Sequence, residues 1–214
     1  MRLKVGKKSK VFLSMLAAVL ALAWWLVRET PEFAIAELAN PTELRTLGER
    51  GANSRLNQIV FWLHEAEENG RNLTNVLATA LWTVYRNETQ RDLVQSGLLR
   101  NFTIARQLGL LTNAHQNLEQ LRRGRAPTIT SGPYAGEKTE VDHIVPRSLA
   151  PELDNELANL ELMPASLNRK KSDRVTSRQV THAERLFAAG LLMPETLERV
   201  RAQAQVDSAV DREP

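Results

Sequence analysis

Asp142 and His143 stand side by side in the run Thr139-Glu140-Val141-Asp142-His143-Ile144-Val145-Pro146. A carboxylate can grip a metal ion, and an imidazole can take a proton from water at neutral pH. The run reads as a strand ending at proline. Neighbours on a strand point to opposite faces, so the two side chains serve one ligand only where the strand end twists or bulges; otherwise one grips a metal while the other faces a water. The chain has no cysteine. That removes disulfides, thiolate nucleophiles and four-cysteine zinc sites, and leaves any metal to oxygen and nitrogen donors. His64 and His115 sit on helical patterns without a second ligand at metal spacing. His64 begins His-Glu-Ala-Glu-Glu, and a zinc-protease helix would need histidine where Glu68 stands. The densest basic run outside the N-terminus is Arg169, Lys170, Lys171, Arg174 and Arg178, opposed there only by Asp173. Such a patch suits a phosphate backbone. Arg122, Arg123 and Arg125 form a second cluster, equally explained as the cationic end of a helix.

The elements that must position these residues are readable from periodicity and punctuation. Ser131-Gly132-Pro133-Tyr134-Ala135-Gly136 is turn-rich and precedes the first strand; Asn159 to Met163 reads as a second, and Pro164 starts a helix carrying Asn168, Arg169, Lys170 and Lys171. The outline is strand, loop, strand, helix. Asp154 and Asn155 lie in the loop, and Glu161 either approaches the metal or faces solvent. Upstream, Leu56, Ile59, Val60, Leu63 and Ala66 recur at helical spacing up to Asn69-Gly70. Asn72 caps a helix through Tyr85, a third helix begins near Thr89, and a shorter one covers Thr112 to Arg123. Trp62, Trp82 and Tyr85 read as core rather than as base-stacking platforms. Downstream, a helix from Ser177 to Ala189 is closed by Gly190 and carries His182 as a surface residue. A last helix starts at Pro194, and the tail after Val206 is polar and frayed.

These residues resemble the HNH, or ββα-metal, nucleases, and especially the HNH domain of the RNA-guided CRISPR effector nucleases. The match runs through Val141-Asp142-His143-Ile144-Val145-Pro146-Arg147-Ser148, then Asp154-Asn155, Asn159, and Asn168-Arg169-Lys170-Lys171-Ser172-Asp173. Nine positions separate Asn159 from Asn168, the family's interval between its middle asparagine and its last metal-binding residue, and Lys171 follows three later. The resemblance implies Asp142 as metal ligand, His143 as general base, Asn159 as the residue that steadies the base-bearing loop, with Asn155 its rival, and Asn168 as second metal ligand. It implies substrate contacts from Lys171, Arg169, Lys170, Arg174 and Arg147. Many relatives have histidine where this chain has Asn168, a departure shared with the CRISPR effectors. A carboxylate and an amide carbonyl are hard donors, so the implied cofactor is one divalent ion, Mg²⁺ or Mn²⁺.

Physical chemistry agrees with that assignment. Phosphodiester hydrolysis needs an in-line nucleophile, charge stabilisation at phosphorus and help for the departing 3′ oxygen. One histidine and one cation can supply all three.

The basic pI of about 9.4 is a poor guide to partners. Residues 1–30 hold six Lys or Arg against Glu29 alone, while residues 31–214 carry 22 basic and 24 acidic side chains, a net charge of −2. The excess belongs to an N-terminal segment in which Arg2, Lys4, Lys7, Lys8 and Lys10 precede an uncharged run from Val11 to Val27. That is the layout of an export signal. The run is at the lower length limit for a bilayer core of roughly 30 Å, so a cleaved signal and a membrane anchor both fit. Ala21-Leu22-Ala23 offers a cleavage site, whereas Trp24 and Trp25 suit a membrane interface.

The predicted architecture is an α+β fold, mainly α. Residues 1–30 form the signal or anchor, 31–126 a helical accessory region, 127–176 an HNH ββα-metal module, 177–206 C-terminal helices and 207–214 a flexible tail. The expected function is metal-dependent endonuclease action on nucleic acid, DNA ahead of RNA, by a body exported from the cytoplasm, secreted, periplasmic or anchored to the membrane through residues 11–27. The alternative is a catalytically inactive HNH fold that binds nucleic acid or protein at the cell envelope.

Overall fold

Helix α1 (Pro31–Ala39) begins where the Thr30 hydroxyl accepts from the Phe33 N–H at 3.4 Å and proline fills the first helical position. The described part of the chain, in the computed structural model, comprises residues 15–17, 19, 30–40 and 51–210. The export or anchor segment expected over residues 1–30, with its membrane contact through 11–27, lies almost entirely outside the described residues. Among the described residues no helix is long and apolar enough to cross a membrane.

Helix α2 (Gly51–Glu68) buries Leu56, Ile59, Val60, Leu63 and Ala66, the stripe its periodicity predicts. Helix α3 (Leu73–Trp82) is capped by Asn72, which accepts from the Asn75 N–H at 3.0 Å. It stops short of Tyr85, because the N–H groups of Val84 and Tyr85 both turn back to the Leu81 carbonyl. Helix α4 (Glu88–Gln107) starts near Thr89 as its pattern suggests, with Asn87 supplying the cap. The short helix expected from Thr112 begins only at Asn117: α5 spans Asn117–Arg122. His115 and Gln116 adopt positive φ and interrupt it, and the Asn117 side chain is spent on Thr128, donating to its carbonyl at 2.7 Å and accepting from its N–H at 2.9 Å.

A two-stranded antiparallel sheet follows, β1 (Thr139–His143) paired with β2 (Leu160–Pro164) in the register Thr139↔Pro164 to His143↔Leu160. Helix α6 (Ala165–Lys171) crosses both strands, and α7 (Ser177–Ala188) packs on α8 (Pro194–Val210). A capping box opens α7: Thr176 accepts from the Arg178 N–H while Gln179 reaches back to the Thr176 N–H. Residues 207–210 of the predicted tail are helical. Helix α8 runs through Val210 because Asp207 accepts from the Val175 N–H at 2.7 Å, and residues 211–214 lie outside the described residues.

One hydrophobic core joins the helices to the sheet, taking in Leu56 and Leu63 of α2, Leu98 and Phe102 of α4, Val141 of β1, Leu160 and Leu162 of β2, and Leu197 of α8. The fold is therefore α+β and mainly helical, with the strand–loop–strand–helix unit embedded among helices. The outer edge of β2 is closed by a side chain. Asn101 of α4, 0% exposed, donates to the Leu160 carbonyl at 2.9 Å and accepts from the Leu162 N–H at 2.7 Å. An asparagine carries one donor group and one acceptor, so it can stand in for a missing neighbouring strand. Gly109, just after α4, adopts φ +66, and a Cβ there would lie 2.2 Å from the Thr130 hydroxyl. The close approach lets Thr130 donate to the Gly109 carbonyl at 2.6 Å, seating the ββα unit on the helices.

Candidate active site

Alternation along β1 turns Thr139 and Val141 into the core and leaves Glu140 and Asp142 on the opposite face, across which α6 lies. Two residues apart on the strand, these carboxylates meet residues three apart on the helix. The Asn168 amide donates to Glu140 Oε2 at 2.7 Å, and the Lys171 ammonium pairs with the Asp142 carboxylate while donating to the His143 carbonyl at 2.6 Å. Lys171 and Asp142 are each 16% exposed, so the pair is largely shielded from water. The structure thus brings Asp142, Asn168 and Lys171 to one face, with Lys171 turned inward rather than outward to a substrate. Glu140 was missed in the sequence, although strict alternation from Asp142 would have placed it on this face.

His143 closes β1. Its Nε2 lies 2.9 Å from the Asp154 carbonyl and 3.4 Å from the Asp154 carboxylate. A carbonyl only accepts, so the hydrogen of a neutral imidazole sits on Nε2 and the lone pair on Nδ1. Among the described residues, nothing is bonded to Nδ1. The strand ends here because the next peptides are captured: the Ile144 N–H donates to the Asn159 carbonyl at 2.8 Å, and the Asn159 side chain accepts from the Val145 N–H at 2.9 Å and donates to the Val145 carbonyl at 3.0 Å. Asn159 is 0% exposed. Its rival Asn155 uses only its backbone carbonyl in this region, accepting from Arg55 Nη1 at 3.3 Å.

The loop between the strands is braced from the helical region. Arg55 of α2 is buried, which lowers its pKa to about 10, and it spans from the Leu38 carbonyl to that of Asn155. Glu156 accepts from the Ala158 N–H at 3.1 Å, capping the single turn Leu157–Asn159; burial raises its pKa, as it does that of Tyr85 beside it. The helices outside the ββα unit therefore hold the loop that orients His143.

The remaining predicted residues are more dispersed. Arg147 approaches the Asp154 carboxylate at 3.2 Å, beside His143. Arg169 and Lys170 point to solvent from α6, and Arg174 is exposed in the turn after it. Glu161, predicted as metal-facing or solvent-facing, does not face solvent: it is 6% exposed and paired with Arg178 and with Arg100.

His182 corrects a second expectation. It is a buried residue, 8% exposed, because α7 turns Gln179, His182, Ala183 and Leu186 inward as one stripe. Its Nε2 lies 3.1 Å from the Ala158 carbonyl. Burial pushes its pKa down to about 4, helped by Arg100, Arg185 and Arg178. The unfolded chain holds this proton below about pH 6.5, whereas the folded chain refuses it until about pH 4. The fold's preference for neutral His182 is fully expressed above pH 6.5 and lost as pH falls through that window. The unfolding free energy of the wild type should therefore drop between pH 7 and 4 relative to His182→Gln, by an amount approaching about 3 kcal/mol. Parallel urea titrations of the two proteins with the same pH dependence would refute this.

No curated protein and no solved structure matches the chain. Residues 129–177, the stretch that holds both strands, the His143 loop and α6, match the model of the HNH endonuclease family.

Proposed function

We propose that the module is a divalent-metal-dependent endonuclease that hydrolyses phosphodiester bonds, with DNA as its principal substrate and a 5′ phosphate on the product. The observation that carries this reading is the fixed imidazole of His143. Nε2 is committed to the Asp154 carbonyl, and Nδ1 is left as the acceptor for a proton from water. As the imidazolium forms, the Asp154 carbonyl and carboxylate lie beside it. Asn159 is a positioning residue: by gripping both polar groups of Val145 it fixes the peptides that follow the base.

The donor set fits a hard cation. Asp142 offers a carboxylate. Asn168 turns its amide nitrogen to Glu140 and so has its oxygen left to give, and a positive charge, the Lys171 ammonium, is already seated against Asp142 and the His143 carbonyl. Among the described residues no group of three or more His, Cys, Asp and Glu side chains converges as a metal cage. A protein-poor shell of one or two oxygen ligands is the kind in which Mg²⁺ keeps waters and shares the substrate phosphate. Asp142 and Asn168 would hold the ion, which when bound supplies charge stabilisation at the phosphorus and at the departing oxygen. Lys171 neutralises Asp142 in the absence of the ion and keeps a positive charge at the site in its presence.

Titration of Mn²⁺ into the full chain, followed by the paramagnetic resonance signal of the free ion, should show one bound equivalent, with affinity reduced at least about tenfold in Asp142→Ala. Equal binding by the two proteins would remove Asp142 from the site.

The location of the body outside the cytoplasm is part of the same reading. It is supported by the basic flank and apolar run of residues 2–27. Protease added to intact cells whose outer barrier has been opened should digest the body; full protection would refute export.

A further inference from the structure

The face of the sheet that carries Asp142 continues across β2. Glu161 is the direct ladder partner of Asp142, and paired residues of an antiparallel ladder stand on the same face with Cβ atoms about 5 Å apart. Beyond Glu161 opens a cavity of about 380 Å³ lined by Arg100, Arg178, Arg185, Ser177, Thr181 and His182. Its wall is completed by Ile144, the residue after His143. The Ala158 carbonyl that holds His182 belongs to the turn carrying Asn159. The cavity therefore shares its framework with the base-bearing loop.

The charge in this cavity is unbalanced. Arg100 and Arg178 converge on the one Glu161 carboxylate, and Arg185 has no ion pair among the described residues. No carboxylate lines the cavity, and His182 contributes no negative charge. Three guanidinium groups against one carboxylate leave an excess of two positive charges, in a body whose net charge over residues 31–214 is −2. The hydroxyls of Ser177 and Thr181 add neutral donors. Guanidinium forks beside hydroxyl donors match the geometry of a phosphate, and a concave wall concentrates their field. By contrast, the space beside α6 that includes Lys170 and Arg174 is lined mainly by apolar surface, with Met163 and Leu167 among its walls.

We propose that the α4–α7 cavity is a phosphate-binding subsite for the substrate strand, holding a phosphodiester that flanks the one cut at His143. This rests on the nuclease reading of the neighbouring site for the identity of its ligand. It moves the substrate path from the exposed face of α6 to the groove between α4 and α7.

The test measures binding apart from cleavage. In full-length His143→Ala protein, affinity for a fluorescein-labelled oligonucleotide is followed against salt concentration. Adding Arg185→Glu should weaken binding at least about tenfold, and adding Arg185→Ala should lower the salt slope by about one. Arg201→Ala, which alters a surface arginine paired with Glu184 and Glu198 away from the cavity, should change neither. Inorganic phosphate should compete with the oligonucleotide in the parent protein and less in Arg185→Glu. Unchanged affinity and slope in both Arg185 variants, with the fold intact by circular dichroism, would overturn the subsite even if the wild type cleaves nucleic acid. Loss of binding in those variants would support it even if the wild type proved unable to cleave.

Discussion

Replacing His143 with alanine is expected to lower the rate of phosphodiester cleavage by about 10²–10⁴-fold, the usual contribution of a positioned general base. Stability should scarcely change. The imidazole makes one hydrogen bond, to the Asp154 carbonyl at the end of β1, and carries none of the hydrophobic core. Nucleic-acid affinity should also hold, since no positive charge of the α4–α7 groove is removed. Single-turnover rates at saturating protein separate these quantities. A variant that cleaves at the wild-type rate would show that the Nδ1 lone pair is not the base.

The second large effect belongs to Asn159. Alanine in its place removes both hydrogen bonds to Val145 and leaves a buried N–H and a buried carbonyl without partners. Each such group costs about 1–3 kcal/mol, so the unfolding free energy should fall by about 2–4 kcal/mol. Activity should fall further than the lost stability explains. The same side chain fixes the peptides on either side of Val145, two residues after His143, and a displacement of about 1 Å in a catalytic group can cost about 10²-fold. Urea denaturation gives the first quantity. The second is kcat measured where the variant is still fully folded, with KM retained. Asn159→Asp keeps the acceptor for the Val145 N–H but loses the donor, and should fall between alanine and wild type on both scales. A variant as active per folded molecule as the wild type would reduce Asn159 to a purely structural residue.

The ββα unit was legible because its signals are local. A proline-terminated strand, a second short strand and a helix beginning after Pro164 occupy consecutive positions, and the nine-residue interval from Asn159 to Asn168 singles out the asparagine that grips Val145. Four residues escaped for one reason: their meaning depends on what they face. Glu140 needed the face of β1 to be assigned before its alternation with Asp142 counted. His182 has a polar side chain in an inward stripe with Gln179, Ala183 and Leu186, and only packing against the Ala158 turn shows it buried. Asn101 and Arg55 lie in helices upstream without catalytic motifs, yet one closes the edge of β2 and the other ties α2 to the loop behind His143. Long-range hydrogen bonds leave no periodic trace in sequence. The basic run from Arg169 to Arg178 was legible as charge density, and Arg169 and Lys170 point to solvent from α6, whereas Arg100 and Arg185, which lie outside that run, gather with Arg178 around a cavity only after folding.

The most direct test of nuclease action is conversion of supercoiled plasmid by the purified full chain in Mg²⁺ or Mn²⁺. Nicked and then linear products should form with either ion, stop on addition of EDTA and resume when the ion is restored in excess. Folded protein that cleaves neither DNA nor RNA with any divalent cation would contradict the account and leave the module as an inactive HNH fold that only binds.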